Sequence, residues 1–182
     1  MRDIVILGST GSIGLQALEI ISRHPDKFRV IALAAGGGQA QLLATQAREF
    51  KVPVIATAGE ASAVAGLSDA TVIDGAMSAS QVAAIPCDIV LNAITGSVGL
   101  GPTLSALSSG NKVALANKES LVAGGELVTA YGRDRIIPVD SEHSALAQAL
   151  RSGKSSEMSR VVLTASGGPF RQRKDLADVT VE

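Results

Sequence analysis

The chain is predicted to be an α/β protein with a Rossmann-like, doubly wound and mostly parallel sheet, on three observations. Apolar runs of strand length alternate with longer segments of helical period up to about position 140. A glycine-rich turn, Gly8-Ser9-Thr10-Gly11-Ser12-Ile13-Gly14, joins the first apolar run to the first helical segment. The composition is 46% hydrophobic but only 2% aromatic, so the core is built from Ala, Val, Leu and Ile, which suits buried parallel strands between Ala-rich helices.

Taken in order, the strand Asp3–Leu7 leads through the glycine turn into a helix over Ser12–Ser22. The strand Arg29–Ala34 follows, then a helix over Gln39–Glu49. Two short runs, Pro53–Ala56 and Ala70–Ile73, read as strands, and Asp88–Asn92 as another. A helix over Val98–Ser108 precedes the strand Lys112–Leu115, and a helix over Glu119–Tyr131 precedes the strand Arg135–Pro138. Such alternation gives right-handed βαβ units with helices on both faces of the sheet. Near 140 the rhythm changes to one short helix, Ser144–Leu150, a polar stretch, a strand Arg160–Thr164 and a Gly-Gly-Pro turn. The expected organisation is a nucleotide-binding domain over 1–139 and the beginning of an α+β catalytic domain over 140–182. That second part has too little apolar surface for a core of its own, so the chain reads as the N-terminal portion of something longer.

Net charge is −1 and no basic run exceeds two residues, which argues against a nucleic-acid surface. Cys87 is the only cysteine, so no intrachain disulfide can form, and the expectation is a small buried hydrophobe. There is no signal-like leader and no apolar run long enough to cross a bilayer, so a soluble cytoplasmic protein is expected.

Three segments carry chemistry. In the first, glycines at 8, 11 and 14 permit a tight turn, close approach of a pyrophosphate and close helix–strand packing. The helix N-terminus then offers free N–H groups to the phosphates, and the Thr10 and Ser12 hydroxyls add donors. The second predicted strand ends Ala34-Ala35-Gly36-Gly37-Gly38-Gln39. No carboxylate stands there to bind a ribose 2′-hydroxyl or repel a 2′-phosphate, and successive glycine N–H groups can wrap an anion. NADPH is therefore expected over NADH.

The second segment, Asn117-Lys118-Glu119-Ser120, follows a strand and opens a helix. Lys118 there could hold a phosphate or polarise a carbonyl; equally, Asn117 could cap the helix and Glu119 favour its first turn. The third is Pro138-Val139-Asp140-Ser141-Glu142-His143-Ser144. If extended, Asp140 and Glu142 point to one side, a pair suited to Mg²⁺ or Mn²⁺. The alternative is again capping, with Asp140 or Ser141 as the cap and Glu142 in the first turn.

The glycine loop, Ala116-Asn117-Lys118-Glu119-Ser120-Leu121-Val122, Pro138-Val139-Asp140-Ser141-Glu142-His143 and Ser166-Gly167-Gly168-Pro169-Phe170 occur in this order along the chain. Together they resemble the 1-deoxy-D-xylulose 5-phosphate reductoisomerase family of the non-mevalonate isoprenoid pathway, over essentially the whole sequence. The resemblance implies an NADPH- and Mn²⁺- or Mg²⁺-dependent enzyme that rearranges and reduces its sugar phosphate to 2-C-methyl-D-erythritol 4-phosphate, acting as a homodimer. It implies NADPH contacts at Thr10, Gly11, Ser12, Ile13, Gly36, Gly37, Gly38, Asn117 and Glu119. It implies substrate contacts at Lys118, Ser141, Glu142 and Ser166, and metal ligands at Asp140 and Glu142; Lys118, Asp140 and Glu142 would be the catalytic set. The family often has Gly-Lys-Asn where this chain reads Gly36-Gly37-Gly38, leaving backbone groups for the 2′-phosphate. His143 takes a supporting role. The family's lid, phosphate-binding set and third carboxylate have no counterpart in these residues, so the 182 residues alone are expected to bind NADPH without turning over substrate. Two rivals are an NADP-dependent homoserine- or semialdehyde-type dehydrogenase, which leaves Asp140-Ser141-Glu142-His143 unexplained, and a nucleotide-sensing module needing no metal.

Overall fold

In a computed structural model, residues 1–66 and 69–162 are described, together with Gln172, Arg173, Asp175, Ala177 and Thr180. Among them, β1 (Arg2–Leu7), β2 (Phe28–Ala35), β3 (Val54–Thr57), β4 (Thr71–Asp74), β5 (Ile89–Asn92), β6 (Lys112–Leu115) and β7 (Ile136–Pro138) form one sheet. Its order is β4-β3-β2-β1-β5-β6-β7. Every pairing is parallel, so the sheet is parallel throughout rather than mostly so.

Two-sided burial explains the apolar runs. Along β1, Ile4 and Ile6 face one side with Leu18 and Ile21 of α1 (Ser12–Ser22) and Leu43 and Ala47 of α2 (Ala40–Glu49). Val5 and Leu7 face the other, with Val82 of α3 (Ser78–Ala83), Leu107 of α4 (Leu100–Ser108) and Val128 of α5 (Glu119–Thr129). Period-two alternation thus sends apolar side chains into both layers. β2 departs from it once. The register with β1 slips between Ile4 and Val5, which pair with Val30 and Ala32. The extra residue, Ile31, shares a face with Ala32, so Val30 and Leu33 end up on the same layer. α3 was not anticipated from sequence: six residues of Ser, Ala, Gln and Val show no amphipathic stripe.

The chain divides into two compact units, Met1–Asp140 and Ser141–Glu182. The second contains α6 (Ser141–Arg151) and a 3₁₀ turn at Ser155–Glu157. α6 begins at Ser141, not Ser144, because Ser141-Glu142 makes a good helix start, with Glu142 placed against the helix dipole. The expected strand Arg160–Thr164 does not appear at Arg160–Val162. This unit has no neighbouring strand among the described residues to complete a ladder; Leu163 and Thr164 lie outside those residues. No helix among the described residues is long and apolar enough to cross a membrane.

Cys87, just before β5, is half-buried rather than fully buried. Burial pushes its thiol up to about 11. A raised pKa in the fold stabilises the folded state at pH values below the unfolded thiol's pKa of about 8.5; this contribution is lost as pH rises towards about 11. At pH 8, labelling by a disulfide reagent should accelerate on the order of a hundredfold on unfolding, measured by absorbance with and without denaturant.

Candidate functional site

Strand order reverses between β1 and β5, since β1 pairs with β2 on one side and β5 on the other. This is the point at which open α/β sheets form a crevice beyond their strand ends. The Gly8–Gly14 loop lies there. The Gly8 and Ser9 N–H groups donate to the Ala34 carbonyl at 2.8 and 3.0 Å, and Gly11 N–H returns to the Gly8 carbonyl at 3.0 Å. Gln46 of α2 donates from Nε2 to the Ser9 carbonyl at 3.0 Å. The loop is thus tied to the end of β2 and to the second helix.

The three glycines do different things. Gly8 has φ +81°, and a Cβ there would meet the Ala93 carbonyl oxygen at 2.7 Å. At Gly14 a Cβ would lie 2.3 Å from the Gly8 oxygen, so α1 packs directly on the turn. Gly11 is exposed, and a Cβ there would have only the Gly8 oxygen near it, at 3.3 Å. Gly11 precedes the first turn of α1 and contributes no side-chain cap. The first-turn N–H groups of Ser12 and Ile13 are therefore left without a side-chain capping acceptor. Thr10 is half-buried; Ser12 and Ile13 are exposed.

Beside the loop opens a cleft of about 510 Å³, within the range of small-molecule sites. Its walls include Gly8, Gly11, Ala34, Ala35 and Gly36 on one side and Ala93, Ile94, Thr95 and Val98 on the other, with Ala76–Ser80 completing it. The last segments were missed in the sequence, because only the topology brings the loops after β4 and β5 to the first glycine turn. Of the glycines after β2, Gly36 and Gly38 have open space where a side chain would be, whereas Gly37 has φ +92° and a Cβ there would meet Gly59 N at 2.7 Å. Gly37 therefore lets the loop after β2 lie against the loop after β3, a role the sequence reading had not separated from phosphate binding.

At the ends of β6 and β7, Lys118 Nζ lies 3.6 Å from Asp140 Oδ2; the lysine side chain is 57% exposed and the aspartate 13%. The two segments that sequence reading marked separately thus meet within the first unit. Asn117 is buried, and its side chain is fully engaged. Nδ2 donates to the Ile94 and Gly96 carbonyls, and Oδ1 accepts the Ser120 N–H at 2.8 Å. The helix-capping alternative describes Asn117. Both protons of its side-chain amide are thus taken up by backbone carbonyls. Glu119 is half-buried in the first turn of α5.

In the second unit Glu142 lies in the first turn of α6, where Ser141 Oγ donates to Glu142 Oε2 at 2.8 Å. The extended geometry invoked for Asp140 and Glu142 therefore fails: β7 stops at Pro138, and Glu142 is helical. Among the described residues, no three His, Cys, Asp or Glu side chains gather as a metal-binding group. Ser166 lies outside the described residues.

The family model for 1-deoxy-D-xylulose 5-phosphate reductoisomerase matches residues 4–125, and the model for that enzyme's C-terminal domain matches residues 136–182. The reductoisomerase of Beutenbergia cavernae is 55% identical over 192 residues, covering 100% of this chain and 49% of the relative. That of Rhodococcus jostii is 56% identical over 170 residues, covering 92% and 42%. The chain spans about half the length of the curated relatives it matches. Among solved structures, the Zymomonas mobilis reductoisomerase in complex with NADPH superposes with a TM-score of 0.81 at 37% identity, covering 94% of this chain and 47% of that one. A reductoisomerase in complex with NADPH, fosmidomycin and magnesium gives 0.71 at 35%, covering 79% and 37%.

Proposed function

Because this chain belongs to the 1-deoxy-D-xylulose 5-phosphate reductoisomerase family, we propose that it supplies the NADPH-binding part, and one wall of the substrate site, of an enzyme converting 1-deoxy-D-xylulose 5-phosphate to 2-C-methyl-D-erythritol 4-phosphate. The observation that carries the proposal is the glycine loop at the point of strand-order reversal, with an open Gly11 and uncapped helix N–H groups beside the cleft. That cradle fits a pyrophosphate. Thr10 and Ser12 add hydroxyl donors. Gly36 and Gly38 leave space for the 2′-phosphate, which their backbone N–H groups would hold.

A divalent ion, Mn²⁺ or Mg²⁺, would be held by Asp140 and Glu142. Asp140 already faces the Lys118 ammonium, so its carboxylate is set to meet a cation. Two carboxylates leave the remaining positions to water, substrate or further ligands. When bound, the metal supplies Lewis acidity to the substrate's oxygens and NADPH the reducing equivalent. Lys118, exposed at the mouth of this strand-end region, binds and orients the anionic substrate, with Ser141, Glu142 and Ser166 as further contacts. A cytoplasmic homodimer completes the reading. The 182 residues by themselves are proposed to bind NADPH without turnover, checked by NADPH oxidation with substrate and Mn²⁺ on protein of verified mass.

Fluorescence titration tests the cofactor assignment. NADPH should bind at least about tenfold more tightly than NADH, a difference of about 1.4 kcal/mol; equal affinities would refute the preference. Gly11→Val should weaken NADPH at least tenfold while leaving the melting temperature nearly unchanged, because the side chain enters ligand space rather than packed protein. Unaltered affinity in this variant would place the pyrophosphate elsewhere.

A further inference from the structure

Behind the cleft, next to its lining residues but not among them, four buried polar side chains are linked. Asn92 ends β5, Thr103 lies on α4, Asn117 follows β6 and Ser120 lies on α5. Asn92 Nδ2 donates to the Gly99 carbonyl and to Thr103 Oγ1, each at 2.8 Å. Thr103 Oγ1 lies 3.1 Å from Ser120 Oγ, and Ser120 Oγ donates to Asn117 Oδ1. Thr103 Oγ1 also reaches the Gly99 carbonyl at 3.0 Å, so its one proton goes to Gly99 or to Ser120, while Asn92 donates to Thr103 and Ser120 to Asn117. Reversing the middle bond would take the Ser120 proton away from Asn117.

The row grips one loop. Asn117 holds the Ile94 and Gly96 carbonyls at 2.6 and 2.8 Å. Asn92 holds the Gly99 carbonyl and, through Oδ1, the Ile94 N–H at 3.1 Å. The fit leaves no slack, since a Cβ at Gly99 would sit 2.7 Å from the Asn117 side chain. The outer side of this loop presents Ala93, Ile94, Thr95 and Val98 to the cleft, facing the glycine turn. At the loop's start, the Ala93 carbonyl lies where a Cβ on Gly8 would need to be. We propose that Asn92, Thr103 and Ser120 are positioning residues that, through Asn117, set the seat of the 93–99 loop, and hence the width of the nucleotide cleft, without themselves touching the ligand. This rests on the reading of that cleft as the NADPH site.

The fold provides its own control. Asn111 stands at the opposite end of β6 with nearly the same bonding. Its Nδ2 donates to the Ala83 and Ile85 carbonyls, each at 2.9 Å, and its Oδ1 accepts the Cys87 N–H at 3.1 Å. It is as buried as Asn117 but lies at the end of the sheet away from the cleft.

In the full chain, Thr103→Val and Ser120→Ala should each raise the NADPH dissociation constant about tenfold and speed hydrogen exchange of the 93–99 amides. Thr103→Ser, which keeps the hydroxyl, should restore both. Asn111→Ala should lower the melting temperature at least as much, yet move the dissociation constant less than twofold. If Thr103→Val and Ser120→Ala lower the melting temperature but bind NADPH like the unsubstituted protein, the row is merely structural and the proposal fails alone. If Asn111→Ala weakens NADPH equally, affinity follows global stability and the proposal also fails. If the unsubstituted protein binds no NADPH, the cofactor reading fails first and takes this inference with it.

Discussion

Gly14→Ala should lose both stability and detectable NADPH binding. The added methyl would lie 2.3 Å from the Gly8 carbonyl oxygen, 2.6 Å from Ser9 Cα and 2.7 Å from the Ser9 carbonyl carbon. All three are backbone atoms, so no rotamer change relieves the contact. Either α1 slides away from β1 or the turn opens. Overpacking of this kind costs roughly 1–3 kcal/mol and occasionally more, and relief comes by moving the groups that cradle the pyrophosphate. Melting temperature should fall by several degrees, and NADPH affinity should drop by at least about a hundredfold, or about 2.7 kcal/mol. Unchanged affinity in a variant of normal melting temperature would show that the close helix–turn packing is dispensable. The contrast with Gly11 is informative, because the two glycines are three residues apart in one motif. One is fixed by packing and the other by what it leaves empty.

Asp140→Asn in the full-length enzyme should reduce turnover far more than cofactor binding. The amide keeps the shape of the carboxylate but not its charge, and a hard cation needs anionic oxygen. If metal stabilisation of developing charge contributes about 3 kcal/mol, its loss lowers kcat by roughly a hundredfold or more. NADPH affinity should stay within about twofold, because the glycine cradle lies at the ends of β1 and β2 and Asp140 follows β7. The substitution also removes the partner of the Lys118 ammonium. Lys118→Met separates the two effects: it should weaken substrate binding while leaving Mn²⁺ affinity intact or improved. Full turnover by Asp140→Asn would exclude the aspartate as a ligand.

The parts of the molecule that were legible in sequence are those whose signal is local. α1 and β6 fall where periodicity places them, because a glycine turn and a short apolar run mark their ends. The glycine loop was readable for the same reason. The extended placement of Glu142 failed because a period-two argument was carried past Pro138 into residues that start a helix. Asn117 could be placed at a helix start, but not as the clasp of a loop more than twenty residues earlier in sequence. The Ala76–Ser80 wall of the cleft gave no signal: small residues there make room, and making room has no pattern. The closeness of Lys118 and Asp140 was likewise invisible, since it depends on β6 and β7 being neighbours.

The pairing of β1 with β5 has a consequence for how the molecule assembles. Ile4 lies beside Ile89 and Leu7 beside Asn92, a separation of 85 residues that encloses β2, β3 and β4. The β1–β2 pairing closes a loop of about a third of that length. Loop-closure entropy and the dependence of folding rate on sequence separation favour the shorter closure first. Once β1 and β2 have met, the left half of the sheet can grow outward through β3 and β4, each a local step. The seam between β1 and β5 joins that half to the block of β5, β6 and β7. The two lips of the nucleotide cleft belong to opposite sides of this seam, so the cleft comes into being as the halves dock. A cofactor bridging them would act on this docking step, slowing its reversal more than it would speed the growth of either half.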